Sequence, residues 1–255
     1  MDADAQRSPS DDNGPSYGTP LEHEAEIWAA FEALPERALA ELASSTLAVV
    51  LEETGSTPAL WTTGDKQHQI RLQAAMVGAI RAFRAFRAVR AGMAVLGHGY
   101  EIEADTMSRV LLELAVETRT AIDDLSGETA RSWLAGERGY GISKRVRAAM
   151  PHRPETYGGL SRAAHGDPRA LMGLAVAEEG GPVVEWGPRQ TDATARCLIG
   201  LAVAARDMAV MLEEVTGQRS AALDALDQVL AAQVNGWAPG ADWSADSSPS
   251  AAGPS

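Results

Sequence analysis

The chain is 255 residues long, carries a formal net charge of −13 and has only 5% aromatic residues. The acidic balance argues against DNA as a partner, because polyanions repel on average. The single cysteine, Cys197, excludes an internal disulfide and fits a reducing compartment.

Ala, Leu, Glu and Arg dominate the middle of the chain, which favours helix over strand. Residues 1–20 and 238–255 are Asp, Ser, Pro, Gly and Ala with few apolar side chains. Neither end can bury enough surface to offset its ordering entropy. Composition therefore predicts disordered tails over 1–20 and 238–255, and one helical-bundle domain over 21–237. The N-terminus has no basic-then-apolar signal pattern. The longest apolar run, Leu198 to Leu212, is cut by Arg206 and Asp207, too soon to span a bilayer. A cytoplasmic protein with no membrane partner is expected.

In chain order, Leu21 to Thr54 reads as two helices, the second opened by Pro35 and stopped by Gly55. Asp65 is an N-cap candidate for a long helix over Lys66–Leu96. Gly97 to Gly99 breaks the pattern before a helix over Asp105–Leu125. There Met107, Leu111, Leu114, Thr118, Ile122 and Leu125 recur at steps of three and four, the stripe of a core-facing helix. Apolar cover on its flanks leaves a narrow polar stripe of Arg109, Glu113, Glu117 and Thr120, so this helix is read as the centre of the domain.

Ser126-Gly127 ends it, and Thr129–Glu137 is a short helix bearing Trp133. Short helices follow over Ile142–Met150 and about Glu155–His165, the latter closed by Gly166. Asp167-Pro168 opens a helix to about Glu179. Gly180 to Pro188 is extended, with a short hairpin-like pair near Val183–Trp186. Thr191 and Asp192 are N-cap candidates for a helix to Thr216, stopped by Gly217, and Ser220–Val234 is a last amphipathic helix. The predicted architecture is all-α, an irregular multi-helix bundle.

Three groups of residues could carry chemistry. Arg109 and Glu113 sit one turn apart, where opposite charges meet. On a solvated face they are ordinary surface charges; in a cleft they would orient a ligand. Ser161, Arg162 and His165 share a short helical turn. A neutral imidazole can take a proton from a ribose 2′-hydroxyl while a guanidinium holds the phosphate, the minimum for metal-free RNA cleavage. The plainer reading is a His-Gly helix cap. Finally, Arg81, Arg84, Arg87 and Arg90 are interleaved with Phe83 and Phe86. Asp65–Arg90 holds six cations against Asp65 alone, +5, which leaves the rest of the chain at −18. This face binds phosphate, or pairs with Glu101, Glu103 and Asp105, the expected outcome.

The five histidines are scattered without an i, i+4 pair, so no metal site is expected. Nor does any phosphate-loop, dinucleotide or nucleophile-elbow motif appear, and no cofactor is expected. Catalysis itself is left open.

The order Arg109-x-x-x-Glu113, a Trp-bearing short helix, Tyr157-x-x-Leu-Ser161-x-x-x-His165-Gly, a Gly-Pro connection and a long final helix carries a resemblance. From about Arg71 to Thr216 the chain resembles an uncharacterised bacterial helical family allied to the HEPN superfamily. That resemblance implies an HEPN-like bundle. It implies either a metal-independent ribonuclease of toxin or phage-defence systems, or a non-catalytic binding or regulatory module that self-associates as a dimer. Catalytic roles would fall on Ser161, Arg162 and His165, and binding roles on Arg109, Glu113 and Tyr157, with RNA as candidate partner. The superfamily's catalytic signature places a polar residue and several spacers between its Arg and its His, where this chain has Arg162-Ala-Ala-His165. If the pieces form one site, Arg109 or Glu113 lies within direct or water-bridged reach of Ser161 or His165.

Overall fold

A computed structural model of the chain describes residues 20–57, 64–137, 175–178, 181–184 and 191–237. These hold seven α-helices and one two-stranded hairpin. The helices are α1 (Pro20–Glu32), α2 (Pro35–Gly55), α3 (Lys66–Gly97), α4 (Glu101–Asp123), α5 (Glu128–Leu134), α6 (Thr191–Thr216) and α7 (Ala221–Trp237), and the strands are β1 (Ala175–Glu178) and β2 (Gly181–Val184).

The helix ends follow local chemistry. Leu34 is extended, as a residue before proline must be, and Pro35 opens α2. The Asp65 carboxylate accepts from the His68 N–H at 2.8 Å, capping α3 as expected. At the far end of α3, Gly99 takes φ 82°. Its N–H donates to the Leu96 carbonyl at 3.0 Å, and that of Tyr100 to Val95 at 2.9 Å, the paired bonds of a Schellman ending. The reversal is so short that α4 starts at Glu101, one turn before the expected Asp105. It also stops at Asp123, so Leu125 is 77% exposed rather than part of the buried stripe. Asp124 explains the stop. Its carboxylate accepts from the Ser126 N–H at 3.0 Å, the Ser126 hydroxyl at 2.6 Å and the Thr129 N–H at 2.8 Å. Those bonds start α5 and hold the Asp124 carboxyl well below the usual carboxylate range, the Ser126 hydroxyl contributing most.

Four helices form the core. α3 and α6 pack on each other, and both touch α2 and α4. Leu47, Val89, Leu96, Leu111, Leu198, Leu201, Met208 and Leu212 fill the space between them. α7 covers α2 through Leu223, Leu226 and Leu230, α1 lies against α3, and α5 closes one end. The middle of the buried face of α3 is mostly small, with Ala82, Ala85, Ala88 and Gly92 around Val89. That lets α6 approach closely. A Cβ on Gly92 would stand 3.0 and 3.2 Å from the Leu201 methyl carbons, and one on Gly78 would stand 3.3 Å from Leu212.

One expectation fails. Ala175–Glu178, read as the end of a helix, is a strand, antiparallel to Gly181–Val184 with Val176 opposite Val183 and Ala177 opposite Pro182. Val176 on one side of Glu179-Gly180 and Val183-Val184 on the other supply the β-branched residues, and the two-residue spacing suits a hairpin better than a helix end. Pro182 is tolerated because a two-stranded ribbon consists only of edges. The last helices start close to expectation, although Thr191 lies inside α6 rather than before it. No helix among the described residues is long and apolar enough to cross a membrane.

Candidate functional site

From Ala104 to Ile122 no residue of α4 is exposed. Its polar side chains therefore need partners, and the helix supplies several itself. The hydroxyls of Thr106, Ser108, Thr118 and Thr120 each donate to the carbonyl four residues back, at 2.7–3.4 Å.

The charged residues form a line at steps of four: Asp105, Arg109, Glu113 and Glu117. Arg109 Nε donates to Glu113 Oε1 at 2.9 Å, with both side chains only about a quarter exposed or less, at 20% and 25%. Two of the three expected binding residues are thus together, in an interior-leaning position. Glu117 does not extend the ladder. It turns to α3 and meets the Arg81 guanidinium at 3.1 Å. Arg81 is 3% exposed and lies 4.8 Å from the centre of the Trp133 ring. One buried cation thereby ties α3, α4 and α5, through charge on one side and an aromatic face on the other.

At the other end of the line, the Cys197 thiol on α6 donates to Asp105 Oδ1 at 3.7 Å. Burial pushes the Asp105 carboxyl above its ordinary 3.8, a rise the thiol only partly offsets. Because the folded state holds that proton more tightly, the resulting stability is present at pH below 3.8. It is lost as pH rises through the folded value. Elsewhere, charge serves to join helices. Arg119 bonds Glu214 at 2.6 and 2.9 Å, and Arg206 grips Asp227 at 2.8 and 3.2 Å.

Tyr157, Ser161, Arg162 and His165 lie outside the described residues. Two groupings escaped the sequence reading. Cys197 reads as a small core residue, and nothing in its spacing points to Asp105, 92 positions away. Arg81 reads as one of a basic run, and only the fold separates it from the rest.

That run needs correcting. Arg84, Arg87 and Arg90 are exposed, and none of them forms a hydrogen bond or ion pair among the described residues. The expected pairing with Glu103 and Asp105 is absent there. Beside the arginines on the same face stand Met76, Ile80 and Phe83, exposed by 36%, 50% and 56%. No group of His, Cys, Asp and Glu among the described residues could hold a metal ion.

The fold and these features define an all-helical bundle. It has an internally paired polar line on α4 and an uncovered, mixed apolar and basic face on α3. No family model, curated protein or solved structure matches the chain.

Proposed function

We propose that the chain is a non-catalytic binding or regulatory module that works by helix–helix contact. In this reading it is an HEPN-allied bundle of the bacterial cytoplasm that also associates with itself. The observation that carries it is the contrast between two helix faces. On α4, Arg109 meets Glu113 within the helix and Glu117 meets Arg81 of α3, so these charges have partners inside the bundle. On α3, three arginines and three large apolar side chains remain exposed to a partner. Exposed apolar residues gathered on one face mark an interaction surface more often than a catalytic one. DNA and membranes are not partners in this reading.

The competing reading is a metal-independent ribonuclease with Ser161, Arg162 and His165 as its catalytic group. It rests on the family resemblance and on the chemistry of those residue types. An RNA cleavage assay in the presence of a chelator separates the two. The module reading expects the full chain and His165→Ala to leave single-stranded and hairpin RNA equally intact. Cleavage by the full chain, abolished in a His165→Ala variant of unchanged helix content, would replace it with the ribonuclease.

A further inference from the structure

We propose that the exposed face of α3 is a docking seam for an acidic amphipathic helix of another protein. The inference rests on the module reading above and specifies its partner.

Spacing comes first. Gln73, Met76, Ile80, Phe83, Arg87 and Arg90 follow one another at steps of three, four, three, four and three. All but Gln73 are exposed, and Gln73 is half-buried. Alternating steps of three and four, close to the 3.5 residues of a coiled-coil seam, keep one line of side chains facing a second helix along its whole length. From Gln73 to Arg90 the seam runs for about 26 Å at 1.5 Å per residue, the length of an ordinary partner helix.

Charge then selects the partner. The N-terminal half of the seam is apolar, with Met76, Ile80 and Phe83. The C-terminal half is basic, with Arg87 and Arg90 on the line and Arg84 at its flank. None of the three arginines has a counter-charge among the described residues, in a chain whose net charge is −13. A helix carrying Leu or Ile opposite the first half and Glu or Asp opposite the second satisfies both.

A second copy of the chain fits less well. Parallel pairing of α3 with itself sets arginine against arginine. Antiparallel pairing centred between Ile80 and Phe83 sets Arg87 against Met76 and Arg90 against Gln73, which carry no charge. RNA would match the arginines but leave Met76 and Ile80 idle. Single-stranded nucleic acid is held chiefly by stacking on aromatic side chains, and of the seam residues Phe83 alone is aromatic.

The test uses the full chain and synthetic peptides, read by fluorescence anisotropy. One peptide has a Leu/Ile seam flanked by Glu. A second has the same seam flanked by Lys. A third has the acidic composition in scrambled order. The acidic seamed peptide should bind, and binding should weaken as salt rises. The exposed double reversal Arg87→Glu/Arg90→Glu should weaken it roughly tenfold or more and transfer preference to the Lys-flanked peptide. Phe83→Ala should weaken both. The proposal is overturned if no peptide binds, or if the scrambled peptide binds as well as the seamed one. An unchanged preference in the double reversal also overturns it. So does polyuridylate bound through the same arginines, or a self-association that Ile80→Asp abolishes, since each names a different occupant. These outcomes are independent of RNA cleavage, so failure of the docking seam and failure of the module reading can be told apart.

Discussion

Replacing glycine by alanine at three helical positions measures how closely α3 meets its neighbours. In a helix interior, alanine is favoured over glycine by about 1 kcal/mol. The added methyl group opposes that gain wherever it meets something. At Gly200 on α6 it meets nothing within 4 Å and points to solvent, so Gly200→Ala should stabilise by about 0.5–1 kcal/mol. At Gly78 it would stand 3.3 Å from a Leu212 methyl and 3.8 Å from that of Thr118, a slight squeeze. Gain and strain should nearly cancel there. At Gly92 it would stand 3.0 and 3.2 Å from both Leu201 methyls and 3.5 Å from Met107. Carbon atoms rest at about 3.5–4.0 Å, and Leu201 is fully buried in a close-packed interior. Overpacking of this kind costs about 1–3 kcal/mol, so Gly92→Ala should destabilise by about 1 kcal/mol net. The order Gly200, Gly78, Gly92 should appear in urea midpoints at constant slope. The whole series spans about 2 kcal/mol, or roughly 4–8 °C in Tm for a chain of this size. Equal stabilisation at all three positions would mean that α6 does not pack into the small-residue face of α3.

Two further predictions concern charge. Glu117→Ala removes the carboxylate facing the guanidinium of a buried arginine, and should cost about 2–3 kcal/mol. Arg81→Met/Glu117→Ala should cost less than Glu117→Ala alone, because the double variant sets an uncharged thioether against Trp133 and leaves no buried charge. Strict additivity in chemical denaturation would count against that buried pair. Asp124→Asn weakens the acceptor that joins α4 to α5 and should cost about 1 kcal/mol near neutral pH. The Asp124 carboxyl is held below its ordinary 3.8 in the folded state. Its contribution is therefore present above 3.8 and lost as pH falls through the folded value, so the two proteins should converge in stability in acid. A constant gap down the acid limb would refute the cap.

Periodicity made the helices legible, and single residues made their ends so. Pro35, Asp65 and Gly217 each mark a boundary within a residue or two. The start of α4 was not legible, because the Gly99 reversal is stabilised by backbone bonds that leave no side-chain signature. The hairpin was misplaced since Ala and Glu in β1 favour helix, and only pairing with β2 overrides them. Arg109 and Glu113 meet because their spacing alone brings them together. Arg81–Glu117–Trp133 needs three helices placed in space, so no local pattern announces it.

The position of α6 in the chain shapes how the protein is made. α2 packs chiefly on α6, yet the two are separated by more than a hundred residues of synthesis, roughly seven to thirty seconds of it. Through that interval Leu39, Leu47 and Val50 have emerged without the surface that will bury them. α3 and α4 can pair early, being adjacent in sequence, but the core closes only when Leu198 to Leu212 arrive. The nascent chain is thus an incomplete bundle for much of its translation. Its yield in a cell should depend more on chaperone capacity and temperature than the stability of the finished fold would suggest.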